Sequence, residues 1–472
     1  MPGFSLHHSR DRRCALVRRG IWLIRSMGYV VSLGVVLLCA SSVFAQTVGG
    51  VAIDPAGALR RAGEITPAEL RKLRDEDQRC AGDVSRPSDR RRVSLRRLES
   101  AVESCLTSGQ PLPAEIRFLA GLVRIDGVTI DQDSRDVIVA GPAEAWEPDA
   151  FGDVVGVKSR RPVLELDDLI IALRYAFPTG DTDDFIGCSI DPTPEGVGAF
   201  DKLMRTQKTS DASRVEPLAH AMEQALGSQK ITVFGVPSNS RFALKLVSAD
   251  YRLKRLALGH DPSPVKALTS FIDLAARNPV SGRVPQHRWW FTPGKNAVCT
   301  SADRLVWKFE VDAVAVATAR GESPRGAKSV PVKSAPASKD AQLFADQATR
   351  AFPELARGIP VFASLSNLIT LSLTAEIVHQ AATVTSDATS WRPTFLLDEV
   401  RCPCVTGTVP QTTPAMVNVR RGRGGAWVFA ASGGVEFRPD SLVKQASTSI
   451  ADGSQPDAER VDAVTGSHWW WD

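Results

Sequence analysis

Ser263 and Lys266 have the S-x-x-K spacing of the nucleophile motif in penicillin-binding acylases. In those enzymes the serine attacks the substrate, and a separate K-T-G element completes the site. The sequence contains neither K-T-G nor the G-x-S-x-G turn of serine hydrolases. We therefore interpret Ser263 as the N-cap of a helix that has Pro264 in its first turn. The buried face of this helix would consist of Val265, Leu268, Phe271 and Ile272.

Metal-binding patterns are incomplete. Glu376 and His379 have the i, i+3 spacing of half a di-iron carboxylate site, but the second copy is missing. We interpret them as a polar pair on a helix surface. The acidic clusters at 131–133 and 181–184 depart from the calcium-loop pattern at its fifth and sixth positions, which favours solvated turns. The sequence predicts no metal site and no cofactor.

Pairs of carboxylates could support hydrolysis of a glycoside or peptide. Asp191 and Glu195 flank the end of a predicted strand, and Asp261 follows His260 after a predicted helix. Catalytic carboxylates must lie about 5–10 Å apart, and only the fold can bring them to that distance. An exported hydrolase that uses such a pair is therefore our alternative function, without a nominated catalytic residue.

The segment His287-Arg288-Trp289-Trp290 combines aromatic rings with basic side chains, as binding surfaces often do. On a strand, Trp289 would point to one face of the sheet, while Arg288 and Trp290 point to the other. One tryptophan would then be core, and the other could form a flat platform for a sugar ring or an aromatic partner. Helices covering both faces remain the alternative. Thr292 to Gly294 would form the turn after the strand.

A second aromatic cluster, Trp469-Trp470-Trp471, follows a long polar stretch. Exposed apolar groups of this size usually find a partner. The cluster could fold back on the protein or dock on another molecule, and we count the three tryptophans as candidate docking residues.

Residues 1–45 have the features of an export signal. Arginines precede an apolar run at 29–40, and Val43 and Ala45 supply the small residues that a signal peptidase needs. The run is too short to span a bilayer, which takes about 20 apolar residues. We predict cleavage after Ala45, export to the periplasm or the extracellular space, and no membrane span afterwards.

Removing the leader changes the charge of the protein. The whole chain has a formal net charge of +4, but the part after residue 45 carries 51 basic and 52 acidic residues. This balance removes the electrostatic case for nucleic-acid binding. A start at Met27 would delete all the arginines of the export signal, so we keep the start at Met1.

Six cysteines follow the leader, and an even number in an exported chain is typical of disulfides. Cys80 and Cys105 could form a local bridge, which would leave the others to pair across the fold. The disulfide candidates are Cys80, Cys105, Cys188, Cys299, Cys402 and Cys404. Cys402 and Cys404 supply two ligands where zinc needs four, so a metal site is disfavoured.

Periodicity predicts an α+β fold: a mixed α/β sheet domain with flanking helices, plus a smaller C-terminal part of helices and a β-hairpin. The segment 127–143 alternates apolar and polar residues around a polar turn, as a hairpin does. The predicted divisions are a leader at 1–45, a hairpin and helical segment at 46–110, the sheet domain at 111–317, a linker at 318–339, the C-terminal part at 340–440 and a disordered tail at 441–472.

Several stretches together resemble a bacterial exported family known as domain of unknown function 1598. They are DPAGALR (54–60), SLRRLESAV (94–102), IRFLAGLVRIDGVTIDQDSRDVIVAGPAEAW (116–146), CSIDPTPEG (188–196), ADYRLKRLALG (249–259) and HRWWFTP (287–293). The resemblance runs from about Gly49 to Lys308, and more loosely to about Arg438. It implies export and a shared fold, and it brings no activity, cofactor or catalytic residue.

These observations predict an exported protein of the cell envelope or the extracellular space that acts as a binding or structural component. The expected partner is an envelope protein or a polysaccharide, and the hydrolase remains the alternative. No catalytic motif favours an enzyme.

Overall fold

A computed structural model describes the protein over most of its length. The described residues are 47–48, 51–53, 59–61, 80, 82–149, 153–206, 215–277, 287–320, 338–384, 390–422, 425–450 and 470–472. The predicted leader and Trp469 lie outside them. From residue 46 onward the chain forms one compact unit.

Strands and helices alternate along much of the chain, which confirms the predicted α+β class. The strands are β1 Thr47–Val48, β2 Val51–Ile53, β3 Leu59–Arg61, β4 Ser88–Ser94, β5 Gly127–Asp131, β6 Asp136–Ala143, β7 Trp146–Pro148, β8 Val154–Gly156, β9 Ile186–Pro192, β10 Ser228–Phe234, β11 His287–Pro293, β12 Val298–Ser301, β13 Val306–Phe309, β14 Val314–Arg320, β15 Thr412–Pro414, β16 Val417–Gly422, β17 Gly425–Phe437 and β18 Ser447–Ile450. The helices are α1 Leu95–Thr107, α2 Ala114–Arg117, α3 Leu166–Ala176, α4 Pro194–Thr206, α5 Val215–Leu226, α6 Arg241–Ala257, α7 Phe271–Arg277, α8 Lys339–Gly358, α9 Pro360–Val384 and α10 Pro439–Lys444.

The larger sheet contains seven strands in the order β14-β11-β17-β9-β10-β15, with β16 paired to the first half of β17. The second half of β17 lies between β11, to which it is parallel, and β9, to which it is antiparallel. The β-hairpin predicted for the C-terminal part is present, and it consists of β16 and β17. Its long second strand completes the large sheet, so the hairpin is not part of a separate C-terminal unit.

The second sheet contains six strands in the order β18-β12-β13-β5-β6-β4. It includes the predicted hairpin of β5 and β6, in which Asp131 and Asp136 face each other across the turn. The edge strand β4 lies within the segment predicted as hairpin and helix at 46–110, just before α1. Ser94 ends that strand and caps α1 by accepting a hydrogen bond from the amide of Arg97.

Helices pack against the large sheet, with α6 against β9 and β17, and α8 against β14. Helices α4 and α5 pack against Val417 of β16 and Ala430 of β17. Helix α9 is apolar on all sides, and 89% of its most hydrophobic window is buried inside the protein. By length and composition it is also the one described helix that could cross a membrane. Its hydroxyls are satisfied locally, since Thr370, Ser372 and Thr374 each donate to the carbonyl four residues earlier.

The structure differs from the sequence-based expectations in two further segments. Residues 262–270 form turns, and α7 begins only at Phe271, because Ser270 rather than Ser263 accepts the amide hydrogen bond at the helix start. Part of the tail predicted to be disordered is structured: α10 covers 439–444, and β18 pairs in parallel with β12. Residues 321–337 of the predicted linker lie outside the described part.

Candidate functional site

The predicted binding segment is strand β11, which lies between β14 and β17 in the large sheet. It runs antiparallel to β14 and parallel to β17, with Arg288 opposite Ser432 and Trp290 opposite Gly434. Successive side chains of a strand point to opposite faces. His287, Trp289 and Phe291 therefore share one face, while Arg288 and Trp290 share the other.

The first of these faces is packed against helices. Trp289 is fully buried, and its indole Nε1 donates a 3.3 Å hydrogen bond to the carbonyl of Ala341 in α8. Its ring contacts Phe344 of α8 and Phe271 of α7, and His287 lies 4.4 Å from the ring of Phe271. Trp289 and His287 are therefore core residues that fix the position of β11.

The opposite face carries a buried ion pair. Arg288 reaches across β17 and donates from Nη1 to Oδ1 of Asp191 in β9, at 2.9 Å. Only 4% of the Arg288 side chain is exposed, against 23% for Asp191. The second guanidinium nitrogen, Nη2, is buried and has no hydrogen-bond partner among the described residues. A buried guanidinium nitrogen without a partner has an unmet hydrogen-bonding capacity, which an acceptor brought into contact with it would satisfy.

Small residues on β17 make this crossing possible. Ser432, the register partner of Arg288, leaves room for the guanidinium above the strand. Next along β17 are Gly433 and Gly434, where a Cβ atom would lie 1.7 Å from the carbonyl oxygen of Trp289 and 2.0 Å from that of Cys188. Glycine is thus required at both positions, and the centre of the sheet lacks side chains there.

Trp290 is only half-buried, in contrast to Trp289. We call its surroundings the polar face, defined by Trp290, Arg288, Asp191, Ser189 and Ser432. An aromatic ring beside a charged pair, with the side-chain-free Gly434 opposite Trp290 on the next strand, is an arrangement that can take a flat, hydroxyl-rich ligand.

A second ion pair lies on the other side of β9. Asp250 and Lys254 of α6 are fully buried and are joined by a 2.6 Å hydrogen bond. Lys254 Nζ also donates to the carbonyl of Ile190, next to Asp191. Burial raises the pKa of Asp250 to about 6, although Lys254 beside it favours the charged carboxylate.

A separate charged cluster connects the first turns of α3 and α6. Lys245 contacts Glu165 at 2.9 Å and Asp168 at 2.5 Å. Burial raises the pKa of Asp168 to about 6, despite the neighbouring Lys245. Burial also opposes ionisation of Glu165, but Arg241 and Lys245 together lower its pKa to about 2. The charges of these groups balance one another, and the groups join two helices. We therefore assign this cluster a structural role.

The carboxylates considered for hydrolysis are engaged elsewhere. Asp191 pairs with Arg288, and Glu195 is exposed in the first turn of α4. Asp261 binds Arg252 at 2.5 Å and Arg255 at 2.7 Å. Glu376 and His379 are paired as predicted, at 3.9 Å, but Glu376 is buried and also accepts a hydrogen bond from Gln380, so only His379 reaches the surface.

The C-terminal tryptophans fold back on the protein. Trp470 and Trp471 are buried against β4, where the Trp470 carbonyl accepts from the amide of Ser94. Arg91 lies over the Trp471 ring, 4.7 Å from its centre, and Asp472 pairs with Arg92. The edge strand β4 supplies both the backbone hydrogen-bond partners and the cations that residues 470–472 contact, so these interactions are made within the chain. These two rings are therefore not displayed for docking, and Trp469 lies outside the described residues.

None of the six candidate cysteines, all of which lie in the described part of the chain, forms a disulfide. Cys188 is buried in β9, in the large sheet, whereas Cys299 lies in β12, in the second sheet. Cys402 and Cys404 lie at Arg174 of α3, which donates to the Cys402 carbonyl and contacts the Cys404 sulfur at 3.6 Å. The predicted pairings are thus not present. Within the described residues no group of His, Cys, Asp and Glu could hold a metal ion.

Two features next to the polar face were missed by sequence reasoning. Gly433 and Gly434 carried a usable signal, because a glycine pair inside a strand pattern marks a close approach of backbones. The buried pair Asp250 and Lys254 has an i, i+4 spacing that normally indicates an exposed helix face. Its burial follows from packing against β9, which the local pattern does not show.

Taken together, the fold and the polar face define an α+β protein whose mixed sheet is packed against helices and carries a buried arginine–aspartate pair beside Trp290. The model of a family described as protein of unknown function (DUF1598) matches residues 188–271, which confirms the family resemblance over that stretch. The match runs from Cys188 in β9 to the first residue of α7, so it includes Asp191, Asp250 and Lys254 but ends before β11. No curated protein and no solved structure matches the chain.

Proposed function

We propose that the protein is exported and binds a polysaccharide of the cell envelope through the polar face. The observation that carries this proposal is the half-buried Trp290 beside the buried Arg288, which has an unused nitrogen donor. Core contacts of Trp289 on the opposite face hold β11 in place. The binding groups are therefore positioned before a ligand arrives, which lowers the entropic cost of binding.

Sugar chemistry matches these groups. One face of a pyranose ring is a row of C–H groups, which can pack on the flat indole of Trp290. Its hydroxyls both donate and accept, so they can bind Arg288 and Asp191 at the same time. Gly434, the register partner of Trp290, leaves space on this face for close approach to the strand backbone.

Export is supported by the sequence of the leader and by the near-neutral charge of the remaining chain. We expect native protein, isolated from the cells that make it, to begin at Gln46. N-terminal sequencing or intact mass measurement tests this. A chain that retains the arginines before the apolar run would overturn export by cleavage.

Replacing Trp290 with alanine is expected to weaken polysaccharide binding by at least about tenfold, since a central aromatic residue of a binding surface contributes about 2 kcal/mol or more. Co-sedimentation of the full chain with insoluble peptidoglycan, chitin and cellulose measures the effect. Trp290→Phe keeps an aromatic face and should retain most of the binding.

Two results would contradict the proposal. One is that none of these polysaccharides sediments the protein. The other is that Trp290→Ala sediments as well as the unaltered chain. Circular dichroism of each variant separates a loss of binding from a loss of folding.

A further inference from the structure

A pocket of about 280 Å³ lies at the C-terminal end of α6, enclosed by the turns at 259–270 and the start of α7. It lies away from β11, and its polar lining consists of Asp261, Ser263, Lys266, Thr269, Ser270 and Asp273. The S-x-x-K pair is therefore in this pocket, although not at a helix start. The volume is close to the lower limit of small-molecule sites.

Both carboxylates of the pocket are already neutralised. Asp261 is bound by Arg252 and Arg255 of α6. Asp273 accepts from the hydroxyl of Ser270 at 2.7 Å and pairs with Arg420 of β16 at 2.6 Å. Together with Lys266, four cations therefore surround two carboxylates, and this local excess of positive charge favours an anion.

Two lining side chains have no bond within the described part of the chain, namely the ammonium group of Lys266 and the hydroxyl of Thr269. The other two hydroxyls are used, because Ser263 donates to the carbonyl of Val265 and Ser270 donates to Asp273. Lys266 provides three N–H donors and Thr269 provides a donor and an acceptor. This pair can hold an oxyanion.

Three apolar side chains, Leu256, Val265 and Leu268, also line the pocket, and they are almost completely buried. A ligand with a compact body as well as an oxyanion would use both kinds of lining, which favours an organic anion over a bare inorganic ion.

We infer that this pocket binds a small organic anion of about monosaccharide size, whose carboxylate or phosphate group contacts Lys266 and Thr269. The site is separate from the polar face. It is a binding site for a soluble molecule, and it does not depend on polysaccharide binding at Trp290.

The test is isothermal titration of the full chain with glucuronate, glucose 1-phosphate, glucose and inorganic phosphate. We expect one or both of the organic anions to bind more tightly than glucose and inorganic phosphate, and the better of the two identifies the anionic group. Lys266→Gln should weaken that binding by about tenfold, since it removes a charge-assisted hydrogen bond. Thr269→Val should weaken it less.

Lys308→Gln is the matched control, because Lys308 is an exposed lysine in β13 outside the pocket. It should leave the affinity unchanged, and so should Trp290→Ala, which separates this inference from the proposed function. Failure of both organic anions to bind, equal binding of glucose, or unchanged affinity of Lys266→Gln would each overturn the inference.

Discussion

Gly433→Ala is expected to destabilise the protein by at least about 4 kcal/mol, in the range that only severe core defects reach. The φ angle of Gly433 is +156°, which L side chains rarely adopt, and an added Cβ would lie 1.7 Å from the carbonyl oxygen of Trp289. That oxygen is backbone and cannot rotate away. Alanine would therefore force β17 and β11 apart at the centre of the large sheet.

The midpoint of urea unfolding, or the soluble yield if the variant does not fold, measures this effect. Gly198→Ala is the matched control, because Gly198 lies in α4 with nothing within 4 Å of its added Cβ. We expect this control to be neutral or to stabilise by about 0.5–1 kcal/mol, since alanine favours a helix over glycine. A Gly433→Ala variant as stable as the Gly198→Ala variant would show that the strands can separate without cost.

Local elements of this fold can be read from the sequence. The alternation at 127–143 predicts β5 and β6 with their turn, and the segment from His287 predicts strand β11. In both cases the signal lies within a few consecutive residues, because a strand with one buried face imposes a period of two. The separation of Trp289 from Arg288 and Trp290 follows from the same rule.

The arrangement of the strands cannot be read in the same way. Strand β17 lies between β9 and β11, although β11 precedes it by more than a hundred residues in the chain. Its pairing with β11 is parallel and has no connecting turn to reveal it. Thus the neighbours of Arg288 mark it as a candidate binding residue, but nothing in the sequence shows that Asp191 is its partner. The polar face exists only after the three strands have assembled.

The contrast between the two tryptophan clusters has a related cause. Trp470 and Trp471 are buried because β4 is an edge strand with unpaired backbone groups and the cations of Arg91 and Arg92. An edge strand accepts an additional segment more readily than a central one. Sequence shows the apolar cluster and not the edge that accepts it, so folding back and docking could not be distinguished beforehand.

The buried pair Asp250 and Lys254 gives the second large effect. We expect Asp250→Leu to destabilise the protein by about 3–5 kcal/mol, because it leaves the Lys254 ammonium in the core without its carboxylate. Lys254→Met should cost less, because burial already raises the pKa of Asp250 to about 6 and the carboxyl can become neutral by binding a proton. The cost of Lys254→Met should therefore decrease as the pH falls from 7 towards 5.

Urea unfolding of both single variants and the double variant measures the coupling between the two side chains. The double variant should be more stable than Asp250→Leu, since it contains no unpaired charge in the core. If the two single effects simply add, the pair does not act as a unit.

Lys254 also binds the carbonyl of Ile190, next to Asp191. The Lys254→Met variant should therefore also weaken polysaccharide binding if α6 positions the acidic half of the polar face. Unchanged polysaccharide binding by a folded Lys254→Met variant would restrict the buried pair to a role in stability.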